Sequence, residues 1–315
     1  MGEQASESPR FLLEEAAVSV PGRTLTVILV NHNDAAHIEA CLSSLERAEL
    51  PPGTEIILVD NDSRDGSREI VAARFAGVRL LVQPQNIGFS RANNLGARES
   101  RGDFLLFLNT DTIVSPGSLS PLLDGMRMDE SIGAAGPRLF RADGSFQVSF
   151  GRGVNFFAQF RQKLFWNPYY RRALKKGGPI RETGWLSAAC LLCRRTAFEQ
   201  VGGFDENFFL YFEDIDLCFR LRERGWKLVL VPEAKVFHAG GATTRTLPSA
   251  TRFEYRRSQL YFYRKHNSSR SLRLLRLYLG LGLLALSARG IFRGGEGADL
   301  RRNYRRLLAQ GGRPE

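Results

Sequence analysis

The chain has 315 residues, enough for one large α/β domain or two coupled halves around a substantial core. With 43% hydrophobic and 24% charged residues, no low-complexity run and no internal repeat, it is neither a disordered nor a fibrous sequence. The net charge of +11 is concentrated at one end: residues 252–313 hold fifteen Arg/Lys against three acids, or +12, leaving the remainder at −1. A basic, partner-seeking surface therefore belongs to the C-terminal segment and not to the body.

Residues 1–23 read as a loosely held N-terminal extension with one edge strand near Phe11–Val20. They lack the basic start and apolar run of a signal peptide, which predicts a cytoplasmic protein. Leu25–Val30 (LTVILV) is an apolar, β-branched run that predicts a fully buried strand. It ends in Asn31-His32-Asn33-Asp34, after which Ile38, Cys41, Leu42 and Leu45 keep helical spacing. A second strand, Glu55–Val59, ends in Asp60-Asn61-Asp62-Ser63; a helix over 67–75 and a third strand over 78–82 follow. A helix over 90–99 leads to a fourth strand at Phe104–Leu108. Alternation of this kind predicts a mostly parallel sheet with helices on both faces.

Ligands of such sheets gather at the carboxyl ends of the strands. Asn31 and Asn33 follow the first strand, Asp60 and Asp62 the second, and Asn109 and Asp111 the fourth. One polar turn is ordinary turn chemistry, whereas three in register point to a site. No G-x-x-x-x-G-K-[ST] loop is present, and no G-x-G-x-x-G follows the first strand, which argues against a P-loop hydrolase and a nicotinamide dehydrogenase. A nucleotide diphosphate would then be held through a divalent cation, Mg²⁺ or Mn²⁺, for which Asp111 is suitably placed.

Further on, Pro137–Phe150 predicts a strand pair turning at Ala142-Asp143-Gly144. Residues 151–182 mix aromatics with Arg and Lys as a loop near a substrate; without an RNP or helix-turn-helix pattern they do not predict nucleic-acid binding. Trp185–Cys193 and Lys227–Val231 read as further strands, and His238 ends an apolar segment beside Gly240 and Gly241, which let backbone approach a ligand. Cys190 and Cys193 form a CxxC with no second pair nearby, so all four cysteines read as reduced thiols, these two as buried structural ones. Between these strands, Val201–Arg220 packs Asp205, Glu206, Glu213, Asp214 and Asp216 among aromatics. A helix starting near Asp214 and stopping at Gly225 puts three of these acids at its N-terminus, where simple capping competes with a catalytic role.

From Arg252 the text becomes RFEYRRSQLYFYRKH, then RSLRLLRLYLGLGLLALSARGIFR, then RRNYRR. The uncharged run Leu277–Ala288 would be about 18 Å long as a helix, against the ~30 Å needed to cross a bilayer. A helix lying in a membrane interface competes here with one packed on the body.

Several separated blocks carry a family resemblance: VILVNHN, ILVDNDSRDGS, QNIGFSRANNLGARESRGDFLLFLNTD, GGFDENFFLYFEDIDLCFR and VFHAGGAT. Together they span about residues 25–245 and resemble the family 2 glycosyltransferases of the GT-A fold, in particular the rhamnosyltransferase-like branch. His32 stands where Tyr is more usual, Asp62 where Gly is common, and Asn109 where the Asp-x-Asp motif has its first Asp. The resemblance implies an α/β fold, a mostly parallel Rossmann-like sheet flanked by helices with a C-terminal helical extension. It also implies an inverting transfer of a sugar, L-rhamnose or another hexose, from a dTDP- or UDP-linked donor to a glycan or polyprenyl-linked acceptor in cell-surface polysaccharide synthesis.

Its division of labour would be an extension at 1–23, a nucleotide-sugar half at 24–115, an acceptor and catalytic half at 116–250 and a basic amphipathic helical tail at 251–315. Asp214, of the Glu213-Asp214 pair, matches the catalytic base. Asp60, Asn86, Arg91 and Asn94, with Asn31, Asn33 and Asn109, fall along the donor; Asp111 and His238 match metal positions; Trp185 and Asp205 fall on the acceptor side. The enzyme would sit peripherally on the cytoplasmic face of a membrane through its tail, and would bind no nucleic acid. The rival readings are a sugar nucleotidyltransferase and a non-catalytic nucleotide- or nucleic-acid-binding protein.

Overall fold

The computed structural model describes residues 25–154, 179–240, 249–288 and 295–310. The strand expected near Phe11–Val20 and most of the loop expected at 151–182 lie outside the described residues. The first half follows its apolar periodicity closely. Strands β1 (Leu25–Asn31), β2 (Glu55–Asn61), β3 (Val78–Gln83) and β4 (Phe104–Asn109) alternate with helices α1 (Ile38–Glu46), α2 (Ser67–Arg74) and α3 (Phe89–Arg98). All four strands are parallel, in the order β3-β2-β1-β4, so the strand order reverses beside β1.

The second half extends this sheet. It adds β5 (Thr112–Val114), α4 (Ser120–Met128), β6 (Ile132–Phe140), β7 (Phe146–Gln147), β8 (Phe150–Gly151), β9 (Arg181–Glu182), β10 (Trp185–Leu186), β11 (Cys190–Arg194), α5 (Arg195–Gln200), α6 (Glu213–Glu223) and β12 (Lys227–His238). The main path continues β4-β11-β6-β12-β5. Strands β6 and β12 share the direction of the first four, while β11 and β5 run against them. One sheet thus crosses the boundary expected at 115/116.

Side-chain alternation sorts the strands into two cores. Leu25, Val27 and Leu29 of β1 join Leu106 and Leu108 of β4 under α1 and α4. Ile28, Leu105 and Phe107 face the other way, toward Ala97 of α3, Phe198 of α5 and Leu217 of α6. The strand expected at Trp185–Cys193 is two strands. Its Ser187 N–H donates to Ser149 and its Ala189 carbonyl accepts from Asn109, so the chain crosses between sheets at 187–189. The strand expected at Lys227–Val231 runs on to His238 through a bulge that contains Pro232, a residue with no N–H to give the ladder. All four cysteines are buried and unpaired.

Three helices close the described chain: α7 (Ser249–His266), α8 (Ser269–Ala288) and α9 (Gly295–Gln310). Leu260, Phe262 and Tyr263 of α7 are fully buried against Phe208 and Phe212, and Leu275, Leu279 and Leu307 extend that cluster. The basic segment therefore contributes its own core, which a reading of its charge alone does not show. Among the described residues no helix is long and apolar enough to cross a membrane.

Candidate active site

A cleft of about 370 Å³ opens at the carboxyl ends of β1, β2 and β4, beside the point where strand order reverses. His32, Asn33 and Asp34 enter it from the loop after β1, Asn61 and Asn86 from the β2 and β3 ends, and Asn109, Thr110 and Asp111 from the β4 end. Phe209 and Leu210 close the remaining side. Their backbone is fixed by close approach: Phe89 N–H donates to the Phe209 carbonyl at 2.8 Å. Gly88 lies so near that a Cβ there would stand 2.7 Å from the Phe209 ring.

Strand alternation decides which strand-end residues reach the cleft. Asn31 is fully buried, its amide donating to Asp60 (2.9 Å), Ser63 (2.9 Å) and Ser67 (2.8 Å). Asp60 is also fully buried; it accepts from the Ser63 N–H and pairs with Arg68 at 3.6 Å. Both tie the β1 and β2 ends together from behind. The adjacent His32 and Asn61 turn the other way, into the cleft, and Asn33, beyond the end of β1, reaches it through left-handed backbone, φ 54°. Asn61 donates to Asn86 Oδ1 at 2.8 Å and accepts from Ile87 N–H, so the Asn61–Asn86 pair shapes that wall.

Arg91 and Asn94 lie elsewhere on α3. Arg91 pairs with Glu206 at 3.5 Å. Asn94 donates to the Phe204 carbonyl and Glu206 and accepts from Phe204 N–H, in a second, larger groove of about 700 Å³. Neither is among the residues that line the strand-end cleft.

Asp111 and His238 come together at the mouth of the cleft, Oδ1 to Nε2 3.1 Å. Three features fix them. The Ala239 N–H donates to the Asp111 carbonyl at 2.8 Å. A Cβ on Gly240 would collide with the Asp111 carboxylate, so a larger residue there would have to displace it. His238 Nδ1 faces Gln147 Oε1 at 3.0 Å and therefore carries a proton toward that carbonyl. In the neutral ring the Nε2 lone pair then points at a carboxylate oxygen, with the Asn109 amide 3.2 Å away. Two lone-pair donors facing one another invite a positive charge between them, either a proton or a cation. Burial raises the Asp111 carboxyl, but the His238 hydrogen bond and charge, with the Gly240 N–H, outweigh it and hold the group below the ordinary carboxylate range.

A divalent cation fits this donor set. One carboxylate and one imidazole with an anchored second nitrogen are sparse ligands, suited to an ion that takes most of its oxygens from a diphosphate and water. Among the described residues no three His, Cys, Asp or Glu side chains converge as a closed metal cage.

The acid stretch forms a second centre. Tyr211 and Phe212 both adopt left-handed backbone, φ 70° and 69°, and deliver the chain into α6. Such non-glycine conformations cost about 1–3 kcal/mol each and cluster at functional sites. Gly225, φ 86°, follows the helix C-terminus as expected. Asp214 Oδ2 accepts from Ala188 N–H at 3.1 Å and Oδ1 from Ile215 N–H at 2.8 Å. Burial pushes its carboxyl up against those hydrogen bonds and that of Ser187. Glu213 is buried with Oε2 unpartnered; burial and the neighbouring Asp214 charge push it well above the ordinary range.

Asp216, also fully buried, is held the opposite way. Burial would raise it, but His266 at 2.6 Å, Arg220 at 2.7 Å and Lys265 at 2.7 Å bring it down. Asp205, expected on the acceptor side, likewise meets α7: Lys265 at 2.6 Å and Tyr261 at 3.0 Å. Burial opposes the shift, yet Lys265 and Asn207 lower the carboxyl to about 2. Trp185, half-buried, packs between the cluster under α6 and the one under α7.

Asp214 is not among the residues lining the cleft. Two short links join the centres. Ala188, which donates to Asp214, precedes Ala189, whose carbonyl accepts from Asn109. The segment ending at Asp214 begins at Phe209 and Leu210 in the cleft wall, where Ser258 of α7 donates to the Leu210 carbonyl at 2.8 Å. Sequence reasoning passed over His32, Asp34, Asn61 and Thr110 as cleft residues. The period-two alternation of β2 is the signal that distinguishes Asn61 from Asp60.

The family described as Glycosyl transferase family 2 matches residues 26–202. An N-acetylglucosaminyl-diphospho-decaprenol L-rhamnosyltransferase of Mycobacterium tuberculosis is 34% identical over 90% of this chain and 96% of its own length. The rhamnosyltransferase WbbL of Escherichia coli K12 is 26% identical over 76% of this chain and 92% of its own. Among solved structures, a mannosyltransferase from Pyrobaculum calidifontis in complex with GDP-Man and Mn²⁺ superposes with a TM-score of 0.58 at 16% identity, covering 92% of this chain and 85% of that one.

Proposed function

The chain belongs to glycosyl transferase family 2, with the GT-A fold, and from that premise we propose a specific reaction. It moves L-rhamnose, or a closely related hexose, from a nucleoside-diphosphate sugar to a polyprenyl-linked or glycan acceptor, with inversion, in cell-surface polysaccharide synthesis. What carries the reading is the strand-end cleft with Asp111 and His238 at its mouth and the buried acid pair one short link away. The near-full-length similarity to a rhamnosyltransferase acting on a decaprenyl-linked sugar supports the choice of substrates.

In this reading residues 24–115 bind the donor and 116–250 the acceptor. Asn33 and the Asn61–Asn86 pair offer amide donors and acceptors to the base and ribose. Asn31 and Asp60 hold the loops that present them. Asp111 and His238, with Asn109 beside them, would hold Mn²⁺ or Mg²⁺; when bound, the ion offsets charge on the departing diphosphate, help worth several kcal/mol. Asp214 takes the proton from the acceptor hydroxyl as that oxygen attacks the anomeric carbon, general-base assistance typically worth 10²–10⁴-fold. Burial, by raising its carboxyl, makes it a stronger base for that proton. Glu213 sets the field at Asp214, Trp185 meets the acceptor, and Arg91, Asn94 and Asp205 act through the 204–206 segment. A polyprenyl acceptor would keep the enzyme at the cytoplasmic face of a membrane.

A thermal-shift panel of dTDP-, UDP- and GDP-sugars with and without Mn²⁺ tests the donor. A ligand at 100 times its Kd stabilises by about 2.7 kcal/mol, and the largest shift is expected for dTDP-L-rhamnose with Mn²⁺. Turnover that releases pyrophosphate instead of nucleoside diphosphate would replace this reading with a sugar nucleotidyltransferase.

A further inference from the structure

Helix α8 is apolar on two opposite faces. Leu275 and Leu279 are buried in the cluster shared with α7 and α9, and Leu283, one turn on, is buried too. Leu274, Leu277, Tyr278, Leu281 and Leu284 recur at spacings of three and four, so they share the other side of the helix. That side is open: Leu277 is 60% exposed, Leu281 58% and Leu284 62%. A helix hydrophobic all round is ordinarily enclosed, and this stripe, eleven residues rising about 15 Å, is not.

Its charge setting narrows what covers it. Arg270 lies one turn before Leu274 on the same side, and Arg273 and Arg276 flank it, all three exposed. Helix α8 contains no Asp or Glu. A second copy seated face to face would offer these arginines no acid from the facing helix in either direction of pairing. A surface that is apolar below and anionic above meets both needs at once, since leucines enter the acyl boundary while arginines stay among the headgroups.

We propose that the outer face of α8 lies flat in an anionic lipid surface, with Leu277, Leu281 and Leu284 inserted and Arg270 and Arg273 on phosphate-bearing headgroups. The helix does not span, because among the described residues none is long and apolar enough to do so. Helix α7, which packs on α8, carries Ser258 to the Leu210 carbonyl and Tyr255 to the ring of Phe212. The lipid-bound hairpin is thereby fastened to the segment that runs from the cleft wall to Asp214. This inference names the membrane contact of the reading above, and it is measured without turnover.

The full-length protein should co-sediment with vesicles of 70% phosphatidylcholine and 30% phosphatidylglycerol at least about 10-fold better than with phosphatidylcholine alone. The double variant L277E/L281E should lose about 10-fold or more of that binding, while its melting temperature and its nucleotide-sugar thermal shift stay as in the parent protein. The pair R270A/R273A should bring binding on anionic vesicles down toward the level on neutral ones. Unchanged vesicle binding by L277E/L281E would overturn the proposal, as would a parent protein that ignores both vesicle types. A parent dimer that light scattering shows falling to monomer in L277E/L281E, with no vesicle binding in either, would assign the stripe to a second copy instead. Loss of the nucleotide-sugar shift with vesicle binding intact would count against the donor reading alone.

Discussion

Asp111 and Asp214 are both partly covered carboxylates near the carboxyl end of one sheet, yet their surroundings push them in opposite directions. Asp111 faces an imidazole and a backbone N–H that together outweigh burial, and it stays readily ionised. Asp214 has only neutral N–H and hydroxyl donors, so burial wins and protonation becomes easier. Asp216, two residues on, reverses the sign again because His266, Lys265 and Arg220 converge on it. What separates the carboxylate proposed to hold a cation from the one proposed to take a proton is the charge of its partners and not its depth. Breaking each partnership in turn should therefore give different failures.

The largest effect is expected from Asp214→Asn, which removes the carboxylate proposed to accept the proton. Turnover should fall about 10²–10⁴-fold with donor affinity nearly unchanged; calorimetry showing an equal loss of donor binding would merge the two centres. Asp111→Ala should act on the other side, weakening Mn²⁺-dependent donor binding by at least about 10-fold while leaving metal-free binding close to the parent value. Gln147→Leu removes the hydrogen bond that aims His238, and a smaller loss in the same Mn²⁺ titration, about 10-fold at most, is expected.

Glu213→Gln sharpens the comparison through stability. A carboxyl raised in the folded state costs stability as pH climbs from its unfolded value, near 4.3, up to its folded one, because only the unfolded chain gains by ionising. The parent protein should lose up to about 1.4 kcal/mol per pH unit in that window from this group, and the Gln variant should lack that slope. Parallel melting curves across pH 5 to 8 for the two proteins would show that Glu213 ionises freely.

Much of the first half was legible because parallel strands covered on both faces read as unbroken apolar runs, LTVILV and EIILV among them. The polar clusters at their ends gave the location of the cleft. Which member of each cluster points inward was harder, since Asp60 and Asn61 are equally polar and only alternation separates them. The break at 187–189 was hidden because Ser187, Ala188 and Ala189 include neither Gly nor Pro, and the strand expected to end at Val231 continues past a bulge that contains Pro232. The C-terminal helices were hardest to read. Phe262 and Tyr263 are core residues set among Arg and Lys, and partners as distant in sequence as Asp205 and Asp216 leave no local periodicity.

The rivet at Asp216 has a practical consequence. His266 and Lys265 reach it from α7, and Lys265 also holds Asp205, so a chain cut at 251 would strand two acids and bare Phe208 and Phe212 to water. Trimming can begin only beyond α7, and any swap of the outer helices between relatives has to respect that seam.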